Sequence, residues 1–86
     1  MITSEQIRAG RALLKWSAED LANAAGVGIA TVRRLEVVNG VPSCQVRILE
    51  ALKATLELAG VSFIGTPQDS PGVRLKNSNI RDETKN

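Results

Sequence analysis

Between Ser17 and Glu36 lie two short helical patterns joined by only three residues, Gly26-Val27-Gly28. Nothing else in the chain restricts its fold as strongly. Two helices joined by so short a glycine-containing turn must meet at a steep corner rather than continue as a rod. Ser17-Ala18-Glu19-Asp20 opens the first pattern with a serine followed three residues later by an acid, the spacing of a capping box. Trp16 stands just before the cap, where it can staple against Leu21. Leu21, Ala22 and Ala25 carry the helix to Gly26, which can take a positive φ at a helix end without a Cβ clash. The next helix begins near Ile29 and runs to about residue 37. Val32 and Leu35 are three apart, share a face and are expected to point inward. Ile29, Ala30, Arg33 and Arg34 then face outward or sideways. The Gly26-Val27-Gly28 spacing follows a helix rather than a strand, so it does not suggest a dinucleotide loop.

The flanking segments read as two more helices and a hairpin. Ser4 can cap a first helix whose apolar positions are Ile7, Leu13 and Leu14, ending near Lys15 or Trp16. After Asn39-Gly40 and Val41-Pro42, Ser43 can cap a fourth helix from about Cys44 to Ala59, stopped by Gly60. Its apolar stripe is Val46, Leu49, Leu52, Leu56 and Ala59, with Ile48 beside it. Val61-Ser62-Phe63-Ile64 and Val73-Arg74-Leu75-Lys76 are β-prone, and the turn formers Gly65, Pro67, Asp69, Ser70, Pro71 and Gly72 lie between them. The expected organisation is a helical domain at 1–60, a β-hairpin at 61–76 and a disordered polar tail at 77–86. The fold class is mainly α.

Composition narrows the functional classes. The 86 residues suffice for one domain, and with 2% aromatic residues its core must be aliphatic. No His or Tyr is present and Cys44 is the single cysteine, so neither a disulfide nor a metal centre is expected. No nucleophile–base pair stands out, which argues against an enzyme, and no cofactor is implied. Met1-Ile-Thr-Ser-Glu has no cationic region followed by an apolar run, and no stretch approaches a membrane span. A cytoplasmic protein with no membrane partner is expected. The net charge of +2 is only mildly basic, so the placement of Arg33 and Arg34 matters more than their number.

The stretch Leu21-Ala22-x-x-Ala25-Gly26-Val27-x-x-x-Thr31-Val32-x-x-Leu35-Glu36 resembles the Cro and phage-repressor type helix-turn-helix family, often called XRE-like. The resemblance covers about residues 5 to 59. It implies a lambda-repressor-like four-helix domain from a prokaryote or phage. It further implies a transcriptional regulator whose recognition helix, about 29–37, enters the major groove of double-stranded DNA. By family position, Arg11 and Glu36 form a structural salt bridge between helices one and three. Ile29 and Ala30 fall at early base-contact positions and could touch a thymine methyl, whereas Arg34 suits guanine O6 and N7. Thr31 and Arg33 fall at phosphate or flanking-base positions, and Ser17 lies where helix two points at the phosphate backbone. The family's glutamine after the cap is Ala18 here, and its basic loop after the glutamate is the uncharged Val37-Val38-Asn39-Gly40-Val41. Both departures imply fewer phosphate contacts.

Each assignment has a plainer counterpart. Arg33 and Arg34 also fit a solvated helix face, as do Arg8, Arg11 and Lys15. Trp16 fits the core, and Cys44 an inert thiol. Val61, Phe63, Val73 and Leu75 would form one apolar face of the hairpin. Pairing with a second copy would make a homodimer suited to an inverted repeat; the alternative folds the hairpin over helix four of its own chain. A second functional reading is an antitoxin or protein-interaction adaptor that presents Ile29, Val37, Val38 and Val41 to a partner.

Overall fold

The computed structural model describes residues 1–76, so the tail expected at 77–86 lies outside the described residues. Four helices precede one antiparallel hairpin: α1 (Ser4–Leu14), α2 (Ala18–Ala25), α3 (Ile29–Glu36), α4 (Val46–Leu58), β1 (Val61–Thr66) and β2 (Asp69–Leu75). This is the mainly α chain with a C-terminal hairpin that the sequence predicts.

Thr3, not Ser4, caps α1. Its hydroxyl accepts from the Gln6 N–H at 3.0 Å, and Gln6 Oε1 accepts from the Thr3 N–H at 2.9 Å. Ser4 is buried, and its hydroxyl donates to the Leu35 carbonyl at 2.6 Å. A tertiary acceptor has thus taken the oxygen that local spacing would assign to capping.

At the start of α4 the cap differs again. Gln45 is the N-cap, without a side-chain cap bond, and Ser43 lies outside the helix. The reason is in the connector. The Gly40 carbonyl accepts from the Ser4 N–H at 2.8 Å, and the Gly40 N–H donates to Glu5 Oε1 at 3.0 Å. With Pro42 also buried, these anchors hold the segment out of helical conformation beyond Cys44. The inward stripe of α4 consequently starts at Leu49 and continues through Leu52 and Leu56, leaving Val46 exposed.

The core draws Ile7 from α1, Leu21 from α2, Val32 from α3, Leu52 and Leu56 from α4, and Val61 from β1. Each such fully buried aliphatic side chain contributes about 1.5–3 kcal/mol. No helix among the described residues is long and apolar enough to cross a membrane.

The strands run further than their β-prone cores. Pairing extends from Val61↔Leu75 to Ile64↔Gly72, then through a bulge to Thr66↔Asp69. The bulge absorbs the turn-forming residues that resemble a long loop in sequence, and Pro71 is accommodated inside β2. Gly65 has φ +75°, and a Cβ there would lie 2.0 Å from the Ser70 carbonyl oxygen, so only glycine fits. Gln6 ties the hairpin to α1: its Nε2 donates to the Ile64 carbonyl at 3.2 Å and the Gly72 carbonyl at 2.9 Å.

The hairpin's apolar face differs from the expected dimer surface. Val61 is buried in the protomer's own core, and Phe63, Val73 and Leu75 are half-buried against that core. The hairpin packs on α1 and α4. Val61 is therefore covered within one chain and Phe63, Val73 and Leu75 partly so, while Ile64 stays exposed. What a second copy could still reach are the strand edges, since each strand has a single neighbour among the described residues.

Candidate nucleic-acid interface

The corner is built by local chemistry. Ser17 Oγ accepts from the Asp20 N–H at 3.0 Å, and Asp20 Oδ2 accepts from the Ser17 N–H at 2.9 Å, a complete capping box at the start of α2. Gly26 ends α2 at φ 70°, and the Val27 N–H returns to the Ala22 carbonyl at 3.0 Å. Trp16, Ala18, Ala25 and Val27 are half-buried against the core on either side of this turn. Gly28 starts α3 with no side-chain cap, and no acidic residue occupies the first turn of α3.

The inner face of α3 is held from α1. Val32, Leu35 and Glu36 are buried. Arg11 Nε meets Glu36 Oε2 at 2.7 Å while its Nη2 meets Oε1 at 2.8 Å, a bidentate fork, and its Nη1 donates to the Trp16 carbonyl at 2.9 Å. The Glu36 side chain is only 8% exposed. Arg8 Nη1 donates to the Glu36 backbone carbonyl, and Ser4 holds the carbonyl of Leu35. Arg8 and Arg11 of α1, read in sequence as fitting a solvated face, thus point at the end of α3 and are half-buried, whereas Lys15 is exposed.

The outer face of α3 is open. Ala30, Arg33, Arg34 and Val37 are all exposed, and their spacing of three, four and seven residues places them on one side of the helix. Neither arginine has a side-chain hydrogen bond or ion pair among the described residues. Eight residues make a helix about 12 Å long, and the major groove is about 12 Å wide.

The structure separates the expected site residues. Arg11 and Glu36 come together as an ion pair. Ala30, Arg33 and Arg34 share the open face. Thr31 is half-buried at its edge. Ile29, expected to face outward or sideways, is half-buried against the core, because it shares a side with Val32 and Glu36 at helical spacing. Ser17 is exposed, but its hydroxyl and N–H are both engaged by Asp20, whose carboxylate occupies the N-terminus of α2. That end is not an open anion site.

Val37, which sequence places at the end of the recognition helix and in the apolar patch of the second reading, also joins the outer face. It is 79% exposed, and the spacing Ala30, Arg33, Arg34, Val37 would have located it. Gln6 is a sequence omission: the Thr3-x-x-Gln6 spacing marks its capping bond, whereas nothing local marks its Nε2 bonds to the hairpin. Where α1 meets the connector, the Glu5 carboxyl is held below its ordinary pKa, first by its own backbone N–H and then by that of Gly40. The described residues form no ligand-sized pocket and no cluster of three or more metal-ligating side chains. No protein-family model and no curated protein matches the chain.

Proposed function

We propose that this chain is a sequence-specific DNA-binding transcriptional regulator of the Cro/phage-repressor (XRE-like) helix-turn-helix kind, with a lambda-repressor-like domain that works in the cytoplasm. α3 enters the major groove, and the protein acts as a homodimer on an inverted repeat. One observation carries this reading: an exposed helical face bearing Arg33 and Arg34, both unpaired among the described residues, on a helix whose opposite side is fixed by Arg11 and Ser4. A rigidly held helix with unpaired guanidinium groups suits docking against phosphates and guanine edges. The strand edges of the hairpin supply the two-fold contact, while its apolar side chains serve the protomer's own core.

Selection of bound sequences from a random duplex pool, followed by salt titration, tests the reading. The expected product is an inverted repeat with half-sites about one helical turn apart, 10–10.5 base pairs. Log affinity should fall linearly with log salt. Absence of salt-sensitive binding to every duplex would remove the proposal.

The exposure of Val37, Val38 and Val41 favours a second reading, a protein-interaction adaptor or antitoxin. Ile29 leaves that patch because it packs against the core. Association with a partner that survives nuclease and high salt would support this role, and dissociation in high salt would oppose it.

A further inference from the structure

We infer that the outer face of α3 reads only hydrogen-bond acceptors and methyl groups, so that guanine and thymine specify the operator half-site and the amino groups of adenine and cytosine do not. The inference rests on the DNA-binding reading above and goes further, because it assigns the chemistry of the operator.

The exposed row of α3 carries no hydrogen-bond acceptor on its side chains. Ala30 and Val37 offer apolar surface, and Arg33 and Arg34 offer guanidinium donors with no acceptor. α3 contains one carboxylate, Glu36, which could have accepted from cytosine N4. Both of its oxygens are instead bound by Arg11, on the opposite side of the helix. Of the other side-chain acceptors in or just after α3, Thr31 is half-buried at the edge of the face and Asn39 lies past the C-cap Val37. Neither belongs to the exposed row.

In the major groove, guanine presents the acceptors N7 and O6, and thymine presents O4 and a methyl group. Adenine shares the N7 acceptor with guanine but lacks O6, and what sets adenine and cytosine apart there is an amino donor, which needs an acceptor on the protein. A face of donors and methyls can therefore recognise guanine and thymine, but cannot reward an amino group.

The order of the contacts follows from position. Ala30 and Val37 lie about 10 Å apart along the helix axis. That is about three base-pair steps at 3.4 Å each. The arginines lie between them, so thymine methyl contacts bracket the guanine contacts.

The test uses the full chain and the tightest duplex selected from a random 26-base-pair pool, with bases replaced one at a time. Replacing central guanines with 7-deazaguanine removes N7 and should weaken binding on the order of 10- to 100-fold. Replacing outer thymines with uracil removes one methyl and should weaken binding about 3- to 5-fold. Replacing adenine with 2-aminopurine, or cytosine with 2-pyrimidinone, removes the major-groove amino group and should change affinity by less than about 2-fold, as no acceptor is there to lose it. Val37→Ala, which keeps only a methyl, should reduce the uracil effect at one end of the half-site and leave the 7-deazaguanine effect intact. A loss of about 10-fold on 2-aminopurine or 2-pyrimidinone would overturn the inference, because it would place an acceptor such as Thr31 or Asn39 in the groove. Tolerance of uracil at every position would overturn it too. Failure to select any duplex is a different result: it would remove the DNA-binding reading itself, and this inference with it.

Discussion

The two sides of α3 are chemically opposite. The inner side carries Val32, Leu35 and Glu36, all buried, and its carbonyls and carboxylate are bound by Ser4, Arg8 and Arg11. The outer side carries Ala30, Arg33, Arg34 and Val37, all exposed. Charge appears on both sides, so composition does not separate them. The difference lies in whether each charged group has a partner. A group with a partner fixes the helix, and a group without one is available to a ligand. Substitutions on the inner side should therefore act on stability, and those on the outer side on binding.

The largest expected effect is on the inner side. Glu36→Ala removes the acid from the Arg11 fork and leaves a partly buried guanidinium without its counter-charge. The loss should approach 3–5 kcal/mol, estimated as about the value for breaking a buried ion pair. Urea denaturation would show it as a lower midpoint, and an unchanged midpoint would mean that the fork contributes nothing. On the outer side, Arg34→Ala should weaken binding to a selected duplex by about 1–3 kcal/mol. Its unfolding free energy should stay within about 0.5 kcal/mol of the parent. A stability loss as large as the binding loss would erase the distinction between the sides.

Ser4→Ala removes the donor to the Leu35 carbonyl and should cost about 1–2 kcal/mol in stability. Thermal unfolding would detect this, and a neutral result would mean that another donor replaces the hydroxyl. The smallest effect concerns pH. The folded state holds the Glu5 carboxyl below its ordinary value through its own N–H and that of Gly40. Ionised Glu5 therefore stabilises the fold above the unfolded-state pKa of about 4.3, and the contribution is lost as pH falls through the lower folded-state value. The difference in urea midpoint between the parent and Glu5→Gln should be present at neutral pH and shrink on acidification. A difference independent of pH would exclude ionised Glu5 as the anchor of the connector.

Local chemistry made half of this arrangement legible in sequence. The Ser17–Asp20 box, Gly26 at the end of α2, and the inward pair Val32 and Leu35 depend on neighbours within four residues, and each could be read directly. The pairing of Arg11 with Glu36 spans 25 positions and was anticipated only through family resemblance. Long-range partners with no such guide stayed hidden. Ser4 looked like a cap because its acceptor is 31 residues away, and Gln6 gave no sign of carbonyl partners 58 and 66 residues distant. Pro71 concealed a strand because the bulge that admits it depends on pairing with β1. For Ile29, spacing left outward and sideways both open, and its half-burial follows from a core completed by other helices. In the candidate interface, the arginines were legible by type and the face they share with Val37 by helical spacing, whereas the partners that fix the opposite side of α3 required the other helices to be placed.

The double replacement of Arg33 and Arg34 by alanine tests the central claim most directly, with unfolding and duplex affinity measured on the same sample. The expected result is an unchanged unfolding midpoint with affinity for a selected duplex reduced by more than about tenfold. A folded variant that binds the duplex as tightly as the parent would contradict the claim that the exposed side of α3 is the part that meets DNA.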